Sequence, residues 1–133
     1  MHGALDISTS ALVANRIRLD AIAANLAAVD IPGNPNGPVR PPATRDAIFA
    51  VGDPVSGAET GVHVADIQLT NAWVPRNQPG HHLADKDGNV WYADINPVEQ
   101  QANMMMAARS YEANIAAIEA RKSMISSALE LLA

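Results

Sequence analysis

Apolar residues recur at heptad spacing near both ends of the chain and lose that period in between. Leu5, Leu12, Leu19 and Leu26 repeat every seven residues, and Ser8, Asn15, Ile22 and Val29 repeat with them, offset by three. The combined 3-4-3-4 spacing is the seam of a coiled-coil helix. It predicts an opening helix over roughly residues 5–29, with Asp6 as its N-cap and Pro32-Gly33 beyond its end. At the other end, Asn96-Pro97-Val98-Glu99 is a helix start: a capping Asn, Pro at the first helical position and Glu three after the cap. Met104, Tyr111, Ile118, Ile125 and Leu132 then repeat every seven, and Ala108, Ile115, Lys122 and Leu129 interleave. At a rise of about 1.5 Å per residue the two helices span about 37 Å and about 54 Å.

The middle reads differently. Residues 31–47 hold Pro32, Gly33, Pro35, Gly37, Pro38, Pro41 and Pro42, a density of breakers that neither helix nor central strand tolerates. This stretch is expected to be an extended linker. Short strand-like runs follow: Ile48–Val51, Val62–Val64 with Ile67 and Leu69, Trp73-Val74 and Val90–Tyr92, with turns signalled at Pro79-Gly80 and Asp87-Gly88. The expected plan is an N-terminal helix over 1–30, a linker over 31–47, a small β-rich insert over 48–95 and a C-terminal helix over 96–133. The fold class is mainly α, and the two stripes are most simply buried by pairing the terminal helices as a coiled coil. Two thin, Ala-rich stripes cover each other incompletely, which predicts assembly with other chains.

Composition narrows the function. The net charge of −5 and the lack of any basic run argue against nucleic acid as a partner. No cysteine is present, which removes disulfides, thiolate metal sites and Cys nucleophiles. The opening Met1-His2-Gly3-Ala4-Leu5-Asp6 lacks a basic region and an apolar run, so no cleaved signal peptide is expected, and no segment is apolar enough for direct membrane insertion. His81-His82 with Asp85 and Asp87 is the one cluster that invites a metal, and through it a small metal-dependent enzyme. An exposed turn is the preferred reading, because adjacent histidines in a glycine-containing loop rarely converge on one ion. The helical serines carry no nucleophile-elbow motif, and no glycine-rich loop opens a helix to take phosphate. Neither cofactor nor metal nor catalysis is expected.

The informative residues are the misfits in the stripes. Asn15 and Lys122 are polar entries in otherwise apolar seams. Asn15 either fixes register or sits at a wet edge. Lys122 is read as an interface residue, because its stem can lie on apolar surface while its ammonium reaches a partner carboxylate. Met105 and Met106 flank Met104, and the three either pack as ordinary core or supply an adaptable surface for a second helix or a neighbouring subunit.

These stretches carry a family resemblance over essentially the whole chain. Asp6-Ile7-Ser8, Ser10-Ala11-Leu12, Arg18-Leu19-Asp20 and Ala24-Asn25-Leu26-Ala27 are similar to the opening helix of the proximal rod proteins of the bacterial flagellum. Gly61-Val62-His63-Val64 and the run from Pro79-Gly80 through Ala84-Asp85 to Gly88-Asn89-Val90 resemble the family's middle, and Ala108-Arg109-Ser110-Tyr111-Glu112-Ala113-Asn114 with Lys122-Ser123-Met124 resembles its hallmark helix. Three positions depart from the pattern: Ala28 stands where a second Asn is usual, Val39-Arg40 replaces Tyr-Arg, and Gln100-Gln101 replaces Glu-Met. The resemblance implies a structural subunit of the rod, a shaft crossing the periplasm, that assembles through its terminal helices and transmits torque to the distal rod and hook. It implies homo- and hetero-oligomeric contact with other flagellar rod subunits and with the rod-base adaptor protein, and passage through the export apparatus without a cleaved signal. Another rod protein is the nearest alternative. The assembly residues expected on the first helix are Leu5, Leu12, Asn15, Leu19, Ile22 and Leu26. On the second they are Met104, Met105, Tyr111, Asn114, Ile115, Ile118, Lys122, Ile125, Leu129 and Leu132.

Overall fold

The computed structural model describes residues 2–133. In chain order it contains α1 (His2–Ala28), β1 (Thr44–Val51), β2 (Val62–Thr70), β3 (Trp73–Asn77), β4 (Asn89–Ala93) and α2 (Pro97–Leu132). Two long terminal helices therefore bracket a small β insert, as the periodicity predicts. The insert consists of two two-stranded sheets, β1–β2 and β3–β4.

The start of α2 follows its local signals. The Asn96 side-chain oxygen accepts the N–H groups of Val98 (3.0 Å) and Glu99 (3.4 Å), and its carbonyl accepts that of Gln100 (3.0 Å). Pro97, with no N–H to satisfy, takes the first helical position. The start of α1 differs from expectation. The helix already begins at His2, so Asp6 lies inside it and does not cap it. Nothing between His2 and Asp6 forces a break, since a single glycine costs a helix only about 1 kcal/mol.

Contacts gather the chain into two compact units that do not follow chain order. One comprises the chain up to Leu19 with Ala47–Asp66 and Met105–Ala133; the other comprises Asp20–Asp46 and Ile67–Met104.

The second unit is organised around β4, which buries Val90, Tyr92 and Ala93. β3 pairs with it antiparallel, Trp73 opposite Ala93 and Asn77 opposite Asn89. Pro75 stands opposite Trp91 and brings no N–H to the ladder. On its other side Trp91 exchanges two backbone hydrogen bonds of 2.9 Å with Gly33. A Cβ at Gly33 would press against the backbone of Arg40 and Pro41, so only glycine fits this approach. Asn34 accepts the Gly37 N–H (3.0 Å) and donates to the Val39 carbonyl (2.7 Å). The proline-rich stretch is thus a tied-down loop rather than an extended one, and β1 opens inside it at Thr44. Arg76 lies 4.3 Å above the Tyr92 ring, and the Tyr92 hydroxyl donates to Gln78 (3.0 Å).

The most demanding contact in this unit is made by Asn25, which is almost completely buried. Its Oδ1 accepts the Arg45 N–H (2.8 Å) and its Nδ2 donates to the Arg45 carbonyl (2.8 Å), so one side-chain amide pairs with both backbone groups of a β1 residue. The same Nδ2 donates to Gln100 Oε1 (3.2 Å), tying α1 to the first turns of α2.

In the first unit, Ser10 of α1 makes the corresponding link. Its hydroxyl donates to the Ile7 carbonyl (2.7 Å) and accepts the Val62 N–H at the start of β2 (3.1 Å). Gly61, immediately before, holds φ +97°, and a Cβ there would meet the Ser10 hydroxyl at 3.0 Å.

Asn25→Ala should lower the unfolding free energy by about 2–4 kcal/mol, because a buried polar group left unpaired costs about 1–3 kcal/mol and two backbone groups lose their partner. Urea titration followed by far-ultraviolet circular dichroism measures this. A loss below about 0.5 kcal/mol would show that water replaces the amide at no cost.

Candidate assembly interface

The stripes of the two helices meet different surroundings. On α1, Leu5, Leu12, Leu19 and Leu26 are half-buried, while Asn15 and Ile22 are buried. Ala14, Ala21, Asn25 and Ala28 are buried as well, one position ahead of the seam. The covered face of α1 is therefore centred between the leucine line and an alanine line. Ala28 belongs to that line and is buried with it.

On α2, Met104, Tyr111, Asn114, Ile118 and Ile125 are half-buried, and Ala107 is fully buried. Met104, Ala107, Tyr111, Asn114 and Ile118 again give 3-4-3-4 spacing, with Ala107 and Asn114 in place of the interleaved Ala108 and Ile115. The remaining expected positions, Met105, Ile115, Lys122, Leu129 and Leu132, are exposed, Leu129 by 62% and Leu132 by 85%. Met106, Met124 and Leu131 are exposed beside them. The last third of α2 thus carries an apolar surface with little of its own chain against it. Isolated exposed apolar residues are ordinary; here several lie along one helix.

The polar stripe residues are satisfied locally. Asn15 donates to the Ala11 carbonyl (3.0 Å) and Asn114 to the Ser110 carbonyl (2.8 Å), each one turn back in its own helix. Such back-bonding consumes part of the amide's donor capacity and leaves the Oδ1 acceptor free.

The histidine loop is built as a turn. The rings of His81 and His82 stack with centroids 4.5 Å apart, and His81 Nδ1 accepts the Leu83 N–H (3.1 Å). Asp85 Oδ1 accepts the N–H groups of Asp87 and Asn89, both at 2.9 Å, and Oδ2 accepts the Trp91 indole N–H (3.1 Å). These bonds hold the Asp85 carboxyl below the usual carboxylate range, the Asn89 N–H contributing most and the Trp91 indole next. Both oxygens therefore serve the turn that leads into β4. Among the described residues no group of three or more His, Asp or Glu is placed to hold a metal ion, and no helix is long and apolar enough to cross a membrane.

Sequence reasoning did not single out Asn25 or Ser10 as structural links. Both stand in the motifs quoted for the opening helix, but their partners lie 20 and 52 residues away. Periodicity does not register contacts at that separation.

Helical ends with bare apolar surface, joined by an insert whose polar clusters are spent on turns, define a subunit built to assemble. Comparison with known proteins makes that class specific. Residues 86–131 match the family described as flagellar basal body rod FlgEFG protein, C-terminal. The flagellar basal-body rod protein FlgC of Escherichia coli O6:H1 is 36% identical over 129 residues, covering 95% of this chain and 93% of that protein. FlgC of Salmonella typhimurium matches with the same identity and coverage. FlgC of Borreliella burgdorferi is 31% identical over an alignment of 150 residues, covering 99% of this chain and 97% of its own. The chain belongs to the FlgC family of flagellar basal-body rod proteins.

Replacing Asp85 by Asn removes the charge and sets an amide against the Trp91 indole. The folded-state pKa of Asp85 is depressed, so its contribution to stability is present above the ordinary carboxylate pKa of about 3.9 and is lost as pH falls through the lower folded value. Asp85→Asn should therefore unfold earlier than the unaltered protein at pH 7 in a denaturant titration read by tryptophan fluorescence. The gap should close in strong acid. A gap that persists or widens in acid contradicts this account of the turn.

Proposed function

We infer that the protein is a structural subunit of the flagellar basal-body rod, that its terminal helices pair as a coiled coil, and that they form the assembly interface. The end-to-end relationship to FlgC rod proteins carries this reading, with 95% of the chain aligned and both helices included. The exposed residues Met105, Ile115, Lys122, Leu129 and Leu132 give the physical reason, because a helix face that its own chain leaves bare is stabilised by a neighbour. Lys122 suits such a contact, with a long apolar stem and an ammonium able to reach a carboxylate across it. The partners are other copies, other rod subunits and the adaptor protein at the foot of the rod. In this role the chain passes through the export apparatus without a cleaved signal and transmits torque along a shaft that crosses the periplasm.

The test uses the half-buried seam positions. Leu19→Asp or Ile118→Asp introduces an unpaired carboxylate into an apolar contact, at a cost of several kcal/mol. Cells carrying either variant in place of the native protein should make it but build no complete rod, and swimming should be lost. Changing His81 and His82 together to Ala should leave swimming intact, since both side chains lie in a turn. Normal motility of the seam variants together with failure of the double-histidine variant would overturn the reading.

A further inference from the structure

Within the first unit an open groove of about 640 Å³ runs beside α1 from Gly3 to Ile17, with the Gly52–Thr60 loop and the start of β2 as its other wall. Ile7, Val13, Ile17 and Val62 supply its apolar lining. Its charged residues are Asp6 and Asp53, and no lysine or arginine lines it. The loop wall is fixed: Asp53 accepts hydrogen bonds from the Val55 N–H and from the Ser56 N–H and hydroxyl, and the His63 ring bonds to the Gly52 carbonyl at 2.7 Å. Ile7 and Val13 remain exposed along it.

We propose that this groove receives the C-terminal stripe of α2 from a second copy of the chain. The occupant is argued from the same molecule. Lys122, Ile125, Leu129 and Leu132 follow 3-4-3 spacing on one side of α2, and all except the half-buried Ile125 are exposed. The stripe covers about 15 Å of helix, while the groove follows α1 for about 21 Å, so one fits within the other. Charge favours the fit at the opening end of the stripe: the groove carries the carboxylates Asp6 and Asp53 and no lysine or arginine, and the stripe opens on exposed Arg121 and Lys122, with Glu130 the one acidic residue from there to Leu132. The chain's own stripe does not fill the site, because α2 runs unbroken to Leu132 and contributes no residue to the groove lining.

Groove and stripe are different surfaces, so their union is head-to-tail. A contact of this kind leaves one free groove and one free stripe on every pair, and therefore propagates as a ring or a helical stack. The inference rests on the rod-subunit reading above and names the partner at its interface.

The chain has no cysteine of its own, which makes cross-linking selective. Differently tagged full-length Val13→Cys and Leu129→Cys chains are co-expressed in place of the native protein, basal bodies are purified, and mild oxidant is added. Both positions are exposed, so neither change disturbs the fold. A disulfide-linked dimer carrying both tags is expected, because only a contact between copies can make it. Adding Asp6→Lys to the Val13→Cys chain, at an exposed groove position outside the bonds that fix the loop wall, should reduce that dimer several-fold. Replacing Val13→Cys by Ala23→Cys, an exposed α1 position outside the groove, should abolish it. If both tagged chains are present in basal bodies but no mixed dimer forms, or if Ala23→Cys cross-links equally well, the groove assignment is overturned while the rod reading stands. If the untouched chain is itself absent from basal bodies, the rod reading fails and the groove assignment falls with it. Should either cysteine chain alone be excluded, the same pair is oxidised as concentrated purified protein, where absence of the mixed dimer overturns the assignment.

Discussion

The insert of this protein hangs on one side-chain amide. Asn25 offers an acceptor and a donor in the geometry of a peptide group, and Arg45 answers with both of its backbone groups. The chain thereby gains a backbone-like pairing between a helix and a strand, which helices cannot make with their own backbone groups because these are already engaged. The further bond from Asn25 to Gln100 carries the same restraint to the first turns of α2. Burial strengthens such a network and raises the cost of losing any member. Gln100, a neutral amide, accepts the Asn25 N–H without placing a full charge beside a buried group.

A second constraint is left open by the chain alone. α1 has its small residues Ala14, Ala21 and Ala28 covered. α2 has its early stripe covered through Ala107 and loses cover toward Leu129 and Leu132. Membership in a family of rod proteins gives that asymmetry a purpose, since a shaft made of subunits needs surface held in reserve for its neighbours.

Much of this was legible from residues alone, and the boundary of legibility is physical. Asn96-Pro97 specifies the start of α2 through bonds within one turn, and the heptad leucines mark the α1 face because helical period is local. The strands around Val62 and Val90 were visible for the same reason. Asp6 misled because capping preference is weaker than the helix's freedom to extend to His2. On α2 Asn114 was named together with Ile115, but the cover of Ala107 in place of Ala108 was invisible, since both spacings satisfy the same heptad and only the neighbour decides between them. The proline-rich stretch reads as a linker by composition, yet Gly33 pairs it to Trp91 across 58 residues, a contact no local rule contains. The histidine cluster was read correctly as a turn, while the partner that fixes it, the Trp91 indole on Asp85, was not foreseen.

The treatment of the strand edges bears on how a polymerising protein avoids polymerising in the wrong way. Two-stranded sheets expose unpaired backbone that can capture strands from other chains, a hazard that grows with local concentration. Here the outer edge of β1 is stopped at Arg45 by the Asn25 amide, and β3 carries Pro75, which has no N–H to offer. The free side of β4 is occupied at Trp91 by Gly33. At these points the edges accept no further strand, so a neighbour meeting them must pack by side-chain shape rather than by backbone pairing, which accepts almost any sequence.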